Sequence, residues 1–433
     1  MRSLAFILLI LFVTPPIRAA EPVASDSLTI DDAVRLTLEH HPAIKQARSG
    51  LMAAEARVGI DQSERYPQVS LSGDYTRLGP VASIDLNGDK FLLYPADNFD
   101  FHVGLNKTLY DFGRTATSVK LAETERQGYE DNIGTVQYRL AYRTISACNA
   151  IIILHKNIAV IQDQIDALNQ HIDVARKRVK AGTATDFDVL TTQVRVAGSN
   201  DQKIEAMRSL QSQEIALREL TGLPADQPIH LSGDFSVTQI SLNPDSLVRA
   251  AEMQRPEVKI AKDAEDVASV KSEIAGLGKK PKLALNVTTG LKNGYIPNLN
   301  TLKGNYTAGL IVNVPLFDGY HTRHKMDEAN ANLTSARDHT SDLQNQITAE
   351  VRQAIAGVNS SRDKIDNAEL QLQQAQQALT IARSRYDAGA ATNLDLLDAE
   401  TSLTKAKLVD WTALYDYTMS LVALDKATGK KIW

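Results

Sequence analysis

Cysteine is almost absent from this chain of 433 residues, in which Cys148 is the only one. A single cysteine excludes an intramolecular disulfide framework and any zinc cluster built on several thiolates. It also excludes a lipid anchor on a cysteine near the N-terminus, because Cys148 lies far from that end. The apolar residues that follow Cys148 predict that it is a buried helix residue.

Glycine and proline are also scarce, with 23 and 14 residues. A chain of this length would ordinarily form two or three globular domains, whose many loops need more of both residues. The scarcity therefore predicts long, uninterrupted elements.

An excess of positive charge is lacking too, since 47 basic residues face 52 acidic ones and the formal net charge is -5. Binding to a nucleic acid backbone needs a basic surface, so we predict no nucleic acid partner. The hydrophobic content of 43% is enough for a large core and excludes a disordered chain.

Long apolar runs are missing after the N-terminus. Residues 4–13 are apolar, with Arg2 before them and Pro15 and Pro16 after them, which predicts a secretory signal peptide over residues 1–25 with two competing cleavage positions. Beyond it, no stretch reaches the roughly 18 to 20 apolar residues of a membrane-spanning helix. If the mature chain enters a membrane, we expect it to do so with strands.

The second half of the chain repeats the first. The segment ARKRVKAG at 175–182 recurs as ARSRYDAG at 382–389, 207 residues later, whereas Pro67 recurs as Pro281, 214 residues later. The seven extra residues of the first copy belong to one loop, which we assign to residues 79–98. The repeats span residues 26–222 and 244–429, with a linker at 223–243 and a tail at 430–433.

Each repeat has the same order of patterns. A short helix precedes two strands with a period of two, at about 67–78 and 98–109 in the first copy and 282–292 and 305–316 in the second. A long helix without proline follows, at 113–180 and 319–387, and then a return helix, at 186–220 and 393–427. The long helices carry a heptad seam, which predicts left-handed supercoiling.

Four strands with one apolar face cannot close a barrel in one chain, and open edges are costly in hydrocarbon. Two copies would pool eight strands and three would pool twelve, and the residues alone leave this open. The polar face, with Ser70, Ser72, Asn106 and Thr288, suits water, which favours the hollow twelve-stranded form.

The duplicated order of elements, with LYDFG at 109–113, LFDG at 316–319 and RYDAGAATNLDLLDA at 385–399, resembles the TolC-like outer membrane efflux protein family. The resemblance implies a mainly α fold with a membrane β-barrel: a homotrimer whose twelve strands sit in the lipid of a Gram-negative outer membrane and whose helices form a periplasmic barrel. It implies a passive export duct for efflux or type I secretion. From the residues we expect no cofactor and no metal. The implied partners are a periplasmic adaptor and an inner-membrane RND, MFS or ABC transporter.

The same resemblance implies a periplasmic gate. Tyr386 matches a gating tyrosine, Asp395 and Asp398 match an acidic ring, and Asp188 matches the acidic partner of a gate-closing arginine, whose position is Ala391 here. The adaptor-contacting tips would be Gly182, Thr183, Gly389 and Ala390. Each residue also has a structural interpretation: the aspartates favour helix N-termini, Tyr386 falls on the heptad seam, and the glycines suit turns with positive φ.

The two alternative classes of function are an enzyme and a coiled-coil scaffold. No nucleophile elbow, phosphate loop or thiolate nucleophile supports an enzyme, and the spacing of His321 and His324 lacks a third metal ligand. A secreted coiled-coil scaffold or adhesin explains the heptads and the signal peptide, but it leaves the two pairs of alternating strands without a purpose.

Overall fold

The computed structural model describes residues 28–86, 89–238, 240 and 242–433. The predicted signal peptide, residues 1–25, lies outside the described residues. Most of the described chain is helical, and one antiparallel sheet follows the short helices of both repeats. The predicted mainly α class with four principal strands in each chain is confirmed.

The elements follow the same order in both halves. The first half contains α1 (Ile30–His40), α2 (Pro42–Ser63), β1 (Gln68–Arg77), β2 (Ser83–Leu86), β3 (Asp89–Leu92), β4 (Asp97–Tyr110), α3 (Arg114–Lys180) and α4 (Asp186–Thr221). The second half contains α5 (Pro244–Gln254), α6 (Pro256–Gly276), a 3-10 turn (Leu277–Lys279), β5 (Lys282–Lys292), β6 (Lys303–Asn313), α7 (His321–Asp387) and α8 (Asn393–Thr428).

Proline divides the short helical region of each repeat into two helices. The residues before Pro42 and Pro256 are His41 and Arg255, and both adopt extended backbone, at φ -63°, ψ 130° and φ -66°, ψ 129°. The ring of proline disfavours helical geometry in the preceding residue, whereas proline itself suits the first helical position. The helices α1 and α5 therefore precede these breaks, and sequence analysis did not identify them.

The four principal strands form one sheet in the order β1-β4-β5-β6. The two repeats meet at its centre, where β4 pairs with β5. The register sets Val69 opposite Leu105, and Leu105 opposite Val287, so the alternating apolar residues share one face. The sheet is thus apolar on one side and polar on the other.

The loop assigned to residues 79–98 contains an element that was not predicted there. Strands β2 and β3 form a separate two-stranded antiparallel sheet, in which Ile84 lies opposite Phe91. The prediction of a loop is therefore wrong in part.

The step from strand to long helix uses the same backbone geometry in both repeats. Two consecutive residues have positive φ, namely Phe112 and Gly113 in the first copy and Gly319 and Tyr320 in the second. A preceding aspartate supports each turn: Asp111 accepts the N–H of Thr115 at 2.8 Å, and Asp318 accepts that of Thr322 at 2.9 Å. Hydrogen bonds to these carboxylates hold the pKa of both below the usual value, although burial opposes the shift at Asp111.

The long helices α3 and α7 are 67 residues each, or about 100 Å at 1.5 Å per residue. Helix α3 packs against α4, α2, α6 and α8, whereas α7 packs against α8, α6 and α5. Among the described residues α3 is also the one helix apolar and long enough to cross a membrane by composition. More than half of its most apolar stretch is buried inside the structure, which is typical of a core helix.

Candidate gate at the helical tips

Both hairpins of long helices turn on a glycine in left-handed conformation. Gly182 has φ 75° and Gly389 has φ 72°, a region that side chains with Cβ disfavour. In each turn a backbone N–H reaches back to the last helical turn: Thr183 donates to the carbonyl of Arg178 at 2.9 Å, and Ala390 to that of Arg385 at 2.8 Å. The four predicted tip residues therefore lie in two equivalent helix-ending turns.

Two of the predicted gate aspartates cap the return helices. Asp188 accepts the backbone N–H of Thr185 at 2.9 Å, and Asp395 accepts that of Thr392 at 2.8 Å. Both pairs are capping boxes, because each threonine side chain in turn serves the third helical residue. Hydrogen bonds from the backbone and hydroxyl of Thr392 lower the pKa of Asp395.

Tyr386 lies in the contact between the two hairpins. Its side chain is buried, and the guanidinium of Arg178 on α3 lies 4.2 Å from the centre of its ring. Arg178 also donates to the carbonyl of Tyr386 at 3.1 Å and lies 3.4 Å from the carboxylate of Asp387. Burial raises the pKa of Tyr386, an effect that Arg178 partly opposes.

Asp398 is held by an arginine of the other hairpin. Nη2 of Arg195 on α4 lies 2.7 Å from Oδ1 of Asp398 on α8, and Nη1 donates to Oγ1 of Thr401 at 2.8 Å. The backbone carbonyl of Asp188 is tied to the same helix, because it accepts from Nδ2 of Asn393 at 3.2 Å. Asn393 is itself buried and bonded to His171 on α3.

The structure therefore brings Tyr386, Asp395, Asp398 and Asp188 to the same end of the helices. The sequence patterns did not indicate Arg178 and Arg195, two cations that join the hairpins there. The sequence shows two arginines close to the tips, but neither lies at the position of Ala391. Their acidic partners are more than 200 residues away in the sequence. Local pattern does not reveal contacts of that range.

The side chains at the tips form hydrogen bonds and ion pairs with one another. Among the described residues, no group of three or more His, Cys, Asp or Glu side chains could hold a metal ion. His324 lies 3.7 Å from Asp327, its neighbour one turn along α7.

Comparison with known proteins agrees with this arrangement. The model of the family described as outer membrane efflux protein matches residues 33–223 and 247–430, which is most of the chain. The outer membrane protein TolC of Vibrio cholerae is 22% identical, with 90% of this chain and 88% of that protein covered. The alkaline protease secretion protein AprF of Pseudomonas aeruginosa is 25% identical, with 90% and 82% covered.

Among solved structures, the CmeC outer membrane channel of Campylobacter jejuni superposes with a TM-score of 0.81 at 18% identity, covering 93% of this chain and 85% of that one. Family match and fold thus agree over both repeats, strands included. The scaffold or adhesin alternative is not favoured, because it does not account for a channel fold. The chain belongs to the outer membrane efflux protein family, and it is an export channel of the outer membrane.

Proposed function

We propose that three copies of this chain form one duct, gated at the helical tips, that receives substrates from a periplasmic adaptor and an inner-membrane RND, MFS or ABC transporter. Substrates pass through it passively, without a chemical step. The observation that carries the proposal is a set of surfaces that are buried in one repeat and exposed at the equivalent positions of the other.

The sheet provides the first such surface. Within the described residues, β1 and β6 each pair on one side only, whereas β4 and β5 pair on both. In a bilayer the free N–H and C=O groups of such edges would cost several kcal/mol each. Pairing of β6 with β1 of a neighbouring copy satisfies both edges and closes the sheet into a barrel.

The return helices provide the second surface. Asn393, Leu397, Glu400 and Thr404 of α8 are buried, because α8 packs against α3 as well as α7. The equivalent residues of α4, 207 positions earlier, are all exposed: Asp186, Leu190, Gln193 and Ala197. A helix of another copy would cover them as α3 covers α8.

The long helices supply the complementary face. Val160 and His171 of α3 are buried, and their equivalents on α7, Asn367 and Ala378, are exposed. If α7 of one copy packs against α4 of the next as α3 packs against α8, both exposed faces are covered and the ring closes. Three copies then give twelve strands, whose polar face lines a lumen wide enough for water.

The gate follows from the position of the tips. Tyr386, Asp395, Asp398 and Asp188 lie at the end of the helices away from the sheet, where a duct with its strands in the outer membrane opens toward the inner membrane. The turn residues Gly182, Thr183, Gly389 and Ala390 are all exposed there, and we assign them to adaptor contact.

Cross-linking tests the assembly. In a Cys148→Ala background, Asp186→Cys and Ala378→Cys in one chain should react with a short bis-maleimide to give dimers and trimers on a denaturing gel, because the two thiols of one interface come from different copies. The matched control is Asn393→Cys with His171→Cys, the equivalent positions of the intrachain contact, which should give monomers only. A ladder that ends at dimers, or monomers from both variants, would contradict the trimer.

Conductance tests the function. The purified trimer should form pores of uniform conductance in a planar bilayer. If the protein stays soluble without detergent and produces no pores, the proposed duct is contradicted.

A further inference from the structure

The pair of Arg195 and Asp398 has no counterpart in the other half of the duplication. The residue equivalent to Arg195 is Ser402, and the residue equivalent to Asp398 is Thr191. The pair is therefore not a by-product of the repeat, and it joins two return helices that otherwise make little contact. Its geometry is that of a charge-assisted hydrogen bond, at 2.7 Å, with a second bond to Thr401 that fixes the guanidinium.

Two further carboxylates at the tips also lie beside a cation. Arg178 lies beside Asp387, and Arg383 lies 3.5 Å from Glu400. Over residues 173–195 and 380–402 there are seven cationic and seven acidic side chains. They are Arg176, Lys177, Arg178, Lys180, Arg195, Arg383 and Arg385, and Asp173, Asp186, Asp188, Asp387, Asp395, Asp398 and Glu400. The tips as a whole carry no net charge.

Charge at a constriction decides which ions pass it. A ring of carboxylates concentrates cations and repels anions, because like charges around one axis add and are weakly screened in a narrow pore. The carboxylate of Asp398 is 62% exposed, so it faces solvent, whereas Arg195 is 29% exposed and lies beside it. A cation at 2.7 Å cancels most of the field of each Asp398 beyond the pair itself.

We propose that Arg195 sets the charge selectivity of the duct entrance by neutralising Asp398, so that the entrance admits anionic solutes instead of selecting cations. This inference rests on the proposed trimeric duct and names the class of substrate that it tolerates.

A purely structural role for Arg195 predicts a different result. An exposed ion pair contributes little to stability, so a structural role would alter melting temperature at most and leave ion selectivity unchanged. Selectivity is therefore the readout that separates the two roles.

The experiment measures reversal potentials of single trimers in a planar bilayer under a KCl gradient. Arg195→Gln should raise the permeability of K⁺ relative to Cl⁻ by roughly twofold to fivefold, because it unmasks three carboxylates at the constriction. It should also introduce block by millimolar Mg²⁺. Adding Asp398→Asn to the same chain should restore the original ratio, and Arg195→Lys should retain it.

Arg208→Gln is the matched control, since Arg208 is another arginine of α4 paired with an acidic residue, Glu205, but about 20 Å along the helix from Arg195. It should leave the ratio unchanged. An unchanged ratio in Arg195→Gln, with pores of normal number, would overturn the inference while the duct stands. Absence of pores from the unmodified protein would overturn the proposed duct and this inference with it.

Discussion

Helices α3 and α7 are copies of one another, yet their surroundings differ. Both have 67 residues and end in the same glycine turn. The first is buried by helices on several sides, and its seam is rich in Ile and Leu, such as Ile151, Ile165 and Leu168. The second leaves one flank exposed. As a result of the duplication, α3 packs against helices of its own chain, whereas the equivalent flank of α7 is exposed and available to another copy.

The largest expected effect comes from making the seam of α3 resemble that of α7. Leu168 is 1% exposed, and its equivalent is Ala375. Leu168→Ala should lower the free energy of unfolding by about 2–5 kcal/mol, through lost burial and the cavity left behind. Denaturant unfolding in detergent measures it. Met253→Ala, at an exposed position, should stay within about 0.5 kcal/mol, and equal losses in the two variants would contradict the packing difference.

The next prediction tests the exposed flank of α7. Leu370 is 52% exposed in one chain, and its equivalent on α3 is Asp163, which lies 3.9 Å from Lys407 of α8. The α4 residue equivalent to Lys407 is Asn200, which carries no charge. Leu370→Asp should therefore destabilise the trimer by about 1–2 kcal/mol, because it removes an apolar contact at the rim of the interface and adds a carboxylate without a cationic partner.

Thermal dissociation of the trimer on gels measures this effect. Adding Asn200→Lys should recover most of the loss, since it rebuilds between copies the arrangement of Asp163 and Lys407. If Leu370→Asp alone has no effect, α7 does not use this flank for assembly.

A smaller expected effect concerns the capping boxes, which both repeats share. Thr185→Ala and Thr392→Ala each remove one capping box, and each should lower the free energy of unfolding by about 1 kcal/mol. Differential melting of the two single variants and the double variant measures it. Serine at either position should retain the cap. Losses that differ strongly between the repeats would show that the tips are not equivalent in stability.

The smallest prediction concerns pH and a contact present in only one half. Asp263 of α6 faces Asp131 of α3, and burial, together with the charge of Asp131, raises the pKa of Asp263 to about 6. The equivalents of these two residues are Ser49 and Asp338, which form no such pair of carboxyl groups.

Because the folded protein binds the proton of Asp263 more tightly than the unfolded chain, stability falls as pH rises from about 4 to about 6. Asp263→Asn should raise stability above pH 6, by about 1 kcal/mol or less, and should change nothing near pH 4. Melting temperatures between pH 4 and pH 8 test this. A gain that is the same at both ends of the range would exclude titration of Asp263 as the cause.

Particular elements show how far the sequence alone can be interpreted. The helices α3 and α7 follow from their heptads and from the absence of proline, and β1, β4, β5 and β6 follow from alternation, because both signals are local and long. The hairpin of β2 and β3 was missed because strands of four residues carry too few alternations. The short helices α1 and α5 were missed because a proline separates each from its neighbour.

The candidate gate was also predictable only in part. The glycine turns and the acidic residues at the starts of α4 and α8 were predictable, since turns and caps depend on adjacent residues. The contacts of Arg178 and Arg195 were not, because each joins residues more than 200 positions apart. The alanine at position 391 indicated only that the arginine implied by the resemblance is missing.

By itself, the sequence determined that this protein is a duplication with two very long helices and four one-sided strands, because periodicity and repeats are properties of neighbouring residues. Only the tertiary structure decided that β4 and β5 join the repeats, that α3 is enclosed while α7 is open on one flank, and that arginines of the first hairpin hold the second. Those outcomes depend on which surfaces meet in space. The free energy of such contacts cannot be deduced from patterns of neighbouring residues.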